Sequence, residues 1–133
     1  MQKLIIAFSA GFFFFLLWVI YLANTGQGHP LFKLGQSIPN GDKVGHFLLF
    51  GLLTFLANLS FQYKSFTLNK IKLYKGSVIV LIFVTLEELS QHFVASRTLD
   101  IFDYGADLIG ISLATLLSWV CAKYFYKPRL GLK

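Results

Sequence analysis

Residues 4–23, LIIAFSAGFFFFLLWVIYLA, run for twenty positions without a charged side chain. Coiled at 1.5 Å per residue, such a run rises about 30 Å, the thickness of a bilayer's hydrocarbon core. It is longer than the roughly 7–15-residue apolar core of a signal peptide, and no small-residue cleavage site follows it. The run is therefore predicted to be an uncleaved membrane-spanning helix. Trp18 and Tyr21 lie near its far end, where amphipathic rings sit at head-group level.

Three further apolar stretches follow, at about residues 44–63, 77–95 and 104–126. Together the four predict an all-α membrane protein, a four-transmembrane-helix bundle with cytoplasmic N- and C-termini, and a single domain over residues 1–133. Composition agrees. The chain is 56% hydrophobic and 14% charged, too apolar for an ordinary soluble domain. Its net charge of +6 does not point to nucleic acid, because no basic patch is interleaved with aromatic residues on a polar domain. In so apolar a chain it reads as anchoring to the anionic head groups of the lipid bilayer. Cys121 is the one cysteine, which excludes an internal disulfide and a cysteine metal site and leaves a packing role.

The connections are polar. Residues 24–41 form a linker rich in Gly, Pro and Asn that ends in the turn Pro39-Asn40-Gly41. Residues 64–75 form a basic connector with four lysines, and residues 96–103 a short outer loop. With the N-terminus cytoplasmic, the inner side holds Lys3, Lys64, Lys70, Lys72, Lys75, Lys123, Lys127, Arg129 and Lys133. The outer side holds Lys33, Lys43 and Arg97. Nine basic residues against three is a strong positive-inside bias.

All six acids (Asp42, Glu87, Glu88, Asp100, Asp103, Asp107) and the three histidines fall on the other side. An ionisable residue inside a span costs about 2.5–3.5 kcal/mol at the helix centre, so these residues are functional candidates. Asp42 and His46 share a helix face, as do Asp103 and Asp107, while Glu88, Gln91 and His92 stand at i, i+3 and i+4. The spans are predicted to bring these rows to one depth. Glu88 and His46 are the candidate acid/base pair. Arg97 is the candidate anion contact, answering the acids with a bidentate pair. Asp100, Asp103, Asp107, Gln91, His92, Asp42 and Lys43 complete the candidate binding site. Glu87 points about 100° from Glu88 and ranks below it.

Each assignment has a structural alternative. The Glu88, Gln91 and His92 row can be interhelical glue. Asp42 or Asn40 can cap the second span, Asp103 the fourth, and Lys43 can be an interfacial anchor. A metal would draw on His46, Glu88, His92 and Asp107 as mixed nitrogen and oxygen ligands. No HExxH, cysteine pair or dense Asp run accompanies them, so no metal is assigned, and the cofactor is left unknown. Ser90 and Ser96 lack the glycines of a nucleophile elbow. Ala106, Gly110, Ala114 and Ser118 form a small-residue row that lets another helix approach, either the third span or a second copy in a homo-oligomer.

The segments Asp42-Lys43-x-x-His46-Phe47, Glu88-x-x-Gln91, Arg97-x-x-Asp100-x-x-Asp103 and Ala106-Asp107-x-x-Gly110 resemble the motifs of VanZ-like membrane proteins, in the same order. Asp107 stands where many members carry Asn. The namesake of that family is associated with resistance to the glycopeptide teicoplanin. The resemblance implies a multi-pass protein of the bacterial cytoplasmic (inner) membrane, without defining a reaction. The expected function is binding or modification of an anionic envelope lipid or lipid-linked cell-wall precursor at the outer leaflet. The alternative is a non-catalytic accessory protein whose polar cluster locks the bundle while its surface binds another membrane protein. A proton-coupled transporter fits less well, since four short unduplicated spans make a poor alternating-access device.

Overall fold

The structure, a computed structural model, describes residues 1–26 and 28–126. In chain order it contains α1 (Gln2–Asn24), α2 (Pro30–Gln36), α3 (Gly41–Ser60), β1 (Ser65–Leu68), β2 (Ile71–Tyr74), α4 (Lys75–Gln91) and α5 (Ile101–Tyr124). Three helices, α1, α3 and α5, are long and apolar enough to cross a membrane, and the chain is a membrane protein. α4 has 17 residues and rises about 25 Å. It falls short of that length.

Several boundaries differ from the sequence reading. The linker at 24–41 contains α2, whose first position is Pro30, with φ already set for a helix. Asn40 enters α3 with a φ of 55° and no side-chain cap, so neither Asn40 nor Asp42 caps it. The basic connector is an antiparallel hairpin pairing Ser65 with Tyr74 and Leu68 with Ile71. Asn69 and Lys70 both have positive φ, the geometry that lets a two-residue turn follow the strand twist. The third predicted span, α4, ends at Gln91 rather than 95. Beyond it the chain bends toward the end of α1, where Ser96 Oγ donates to the Asn24 carbonyl at 2.8 Å. Of the residues in the charge bias, Lys127, Arg129 and Lys133 lie outside the described residues.

α3 is the central element, packing on α1, α4 and α5. Its closest approach is to α5, where a Cβ on Gly110 would collide with the carbonyl oxygen of Phe47. The row containing Gly110, Ala114 and Ser118 therefore faces the second span of the same chain, neither of the two partners first considered. Those three residues are buried within the chain, while Ala106, at the start of the row, is half-buried. Leu16, Phe50, Leu53, Val80, Val84 and Ile111 form the apolar core. α1 buries only Leu16 and leaves Phe8, Phe14 and Trp18 exposed, as a lipid-facing helix should.

At one end of the bundle Asn58 ties α3 to its neighbours. Its Oδ1 accepts from the Ser77 backbone N–H at 3.0 Å, and its Nδ2 donates to Ser77 Oγ at 2.8 Å and Ser118 Oγ at 3.1 Å. Asn58 thereby caps α4 from another helix. Gly76 makes this possible, since a Cβ there would press on Asn58. At the other end His46 meets Glu88 and Asp107, so α3 and α5 run parallel and α4 antiparallel.

Candidate functional site: carboxylates around Lys43 and His46

Two layers of charge occupy the end where α3 begins, α4 ends and α5 begins. In the outer layer Asp100 caps α5, its Oδ1 accepting the Phe102 N–H at 2.8 Å. That bond holds the Asp100 carboxyl below the ordinary carboxylate range. The cap is Asp100, not Asp103. Lys43 Nζ sits among three carboxylates, 3.1 Å from Asp42 Oδ2, 3.3 Å from Asp100 Oδ2 and 3.0 Å from Asp103 Oδ1. It joins the starts of two helices and is not an interfacial anchor. Asp42 belongs to this group, although it shares a helix face with His46. Arg97 does not form the expected pair with the acids: its hydrogen bond among the described residues runs from Nη1 to Asn24 Oδ1 at 3.5 Å.

One turn further along α3 and α5 is the second layer. His46 Nδ1 lies 2.9 Å from Asp107 Oδ1 and 3.8 Å from Glu88 Oε1, while Nε2 faces Asp103 Oδ2 at 3.8 Å. Asp107 is 0% exposed and Glu88 3%. Each keeps one buried oxygen, Asp107 Oδ2 and Glu88 Oε2, without a hydrogen-bond partner among the described residues. Gln91 Nε2 donates to both Glu87 oxygens, at 3.2 and 3.0 Å, and to Glu88 Oε1 at 3.4 Å. Glu87 is thus buried and part of the site. The i, i+4 spacing of Glu87 and Gln91 was the sequence signal for it. His92 is not part of the cluster. Gln91 is the last helical residue, so the spacing that aligned His92 with Glu88 stops short of it, and His92 is exposed with its ring edge-on to Phe93.

A cavity of about 540 Å³ opens beside this layer. Leu16, Val19 and Phe32 supply apolar wall from α1 and α2, and His46, Glu87 and Arg97 stand at its polar end. A smaller cavity of about 210 Å³ reaches Glu88, Asp100 and Tyr104. Apolar walls with a few convergent polar groups suit a ligand that is part hydrocarbon and part head group. An imidazole between carboxylates is equipped to accept and return a proton.

The chain is similar to an uncharacterized protein of the fission yeast Schizosaccharomyces pombe, 39% identical over 95 residues, which is 70% of this chain and 53% of that protein. The chain thus spans about half the length of this curated relative. No protein-family model matches it, and neither does any solved structure.

Proposed function

We propose that this chain is a VanZ-like multi-pass membrane protein that takes the head group of an anionic amphiphile into the cavity from the outer leaflet. α4 serves as the fourth span, both termini are cytoplasmic, and the carboxylate layers lie beneath the outer surface. The observation that carries the reading is the cavity itself. Its walls are apolar, and Arg97 stands at its polar end while Lys43 is already surrounded by Asp42, Asp100 and Asp103. Arg97 holds the anion through its planar donor fork. His46 and Glu88 move the proton where the ligand is modified, and Asp103 and Asp107 set the ring of His46.

The family reading rests on the ordered motifs, and the bacterial inner membrane rests on the family reading; the fission-yeast likeness does not support that location. Of the two ligand sources, an anionic lipid is chemistry shared by bacterial and fungal membranes and is favoured over a lipid-linked wall precursor. The accessory-protein alternative assigns the outer cluster to locking the bundle. Asn58 already performs that task at the other end with every polar atom paired.

Native mass spectrometry of protein released from nanodiscs of phosphatidylglycerol or phosphatidylcholine tests this. The expected result is retention of the anionic lipid by wild type and its loss in Arg97→Ala, with partial retention in Arg97→Lys. Equal retention of both lipids by wild type would overturn the proposal.

A further inference from the structure

We propose that His46, Glu88 and Asp107 form a site for one first-row divalent cation, Zn2+ or Mn2+. Each residue comes from a different helix, and one potential ligand atom from each lies within 4.8 Å of the others. Ligands of a tetrahedral ion with bonds of about 2.1 Å stand roughly 3.4 Å apart, so side-chain rotations of about an ångström close the site. One imidazole with two carboxylates is a donor set for Zn2+ or Mn2+, and three protein ligands leave a position open for water or a ligand oxygen.

Two further observations point to an ion. Glu88 Oε2 and Asp107 Oδ2 are buried without a hydrogen-bond partner among the described residues, on side chains more than nine-tenths buried. A buried carboxylate without a full set of partners is costly, and a cation held between the two side chains offsets that cost. The second is charge. Glu87, Glu88 and Asp107 put three buried carboxyl groups against one imidazole, with Gln91 the neutral donor. One turn away, Asp42, Asp100 and Asp103 surround the Lys43 ammonium. The outer acids have a cation supplied by the chain; among the described residues no Lys or Arg forms an ion pair with Glu88 or Asp107.

The imidazole is also arranged for ligation. With Nδ1 on the ion the ring proton must sit on Nε2, the nitrogen that faces Asp103 Oδ2 at 3.8 Å. At that distance Asp103 is not hydrogen-bonded to the ring; a small shift would let it accept the Nε2 proton, the arrangement that orients metal-bound histidines. His46 also lines the larger cavity, which gives the ion a way in. The ion would take the same His46 and Glu88 that the proposed function uses for proton transfer, and would replace that role while leaving the Arg97 contact untouched; it is tested without lipid.

The full chain, purified in detergent and stripped with EDTA, is titrated with Zn2+ and separately with Mn2+, with bound metal measured by mass spectrometry after desalting. Wild type is expected to hold about one ion per chain, and the double variant Glu88→Gln with Asp107→Asn to bind more than a hundredfold more weakly, since even an indirect partner is worth roughly 10–100-fold. Uptake of neither metal by wild type, or equal affinity in the double variant, overturns the proposal. X-ray absorption on zinc-loaded wild type needs no variant. One imidazole nitrogen with carboxylate oxygens is expected, and a shell without nitrogen overturns it.

Discussion

The two ends of the bundle each bury a polar cluster between α3, α4 and α5, and the clusters are built on opposite terms. The Asn58 cluster is neutral and closes on itself. Asn58 pairs with Ser77 and Ser118, Ser77 Oγ lies 2.7 Å from Thr115 Oγ1, and Ser118 Oγ donates to the Ala114 carbonyl at 2.8 Å. The His46 cluster is ionisable and leaves carboxylate oxygens of Glu88 and Asp107 unpaired among the described residues. A satisfied network fixes helix positions, whereas an unsatisfied one in a low-dielectric setting is held in place by the rest of the fold. The bundle is therefore locked at one end, while the other keeps buried acceptors without partners among the described residues.

The sharpest way to break this contrast is Asn58→Leu. It strands the Ser77 N–H and removes two side-chain bonds, and should cost on the order of 3 kcal/mol at about 1–3 kcal/mol per stranded group. Thermal unfolding in detergent measures this, and an unchanged Tm would show that the lock lies elsewhere. Lipid and metal retention by the surviving folded fraction should match wild type.

Glu88→Gln should do the reverse. Among the described residues Glu88 Oε2 makes no hydrogen bond to lose, so stability is expected to stay within about 1 kcal/mol of wild type. Metal retention should fall. A collapse of folded yield in this variant would instead make the outer cluster a second lock and favour the accessory-protein reading.

The smallest effect is expected at Asp100, in the outer layer. Its folded carboxyl titrates below the ordinary value of 3.8, chiefly through the Phe102 N–H. The stability it adds is complete above that value and disappears as pH falls through the lower folded value. Asp100→Asn keeps the capping oxygen and removes the titration. Its stability should be flatter than that of wild type on the acid limb below about pH 3.8 and slightly lower at neutral pH. A parallel acid limb in both proteins would remove Asp100 from the pH response.

Much of this was legible in local patterns. The spacing of Asp42 with His46 and of Asp103 with Asp107 placed each residue on the correct helix, because side chains four apart share a face in any helix. The hairpin was not legible: lysine content suggested a connector, while the decisive signal was the ability of Asn69 and Lys70 to take positive φ. His92 was misplaced because helix ends depend on what the following chain docks against, here the end of α1.

From sequence alone follow the membrane class and the crowding of every acid toward one side, since both depend on hydropathy and order along the chain. Which partner each charge meets was decided by the tertiary structure. Lys43 rather than Arg97 answers the acids, Asp107 rather than Asp42 meets His46, and the small residues of α5 receive α3. Such pairings depend on the rotation and depth of one helix against another, and packing across the core, not spacing within a helix, sets those.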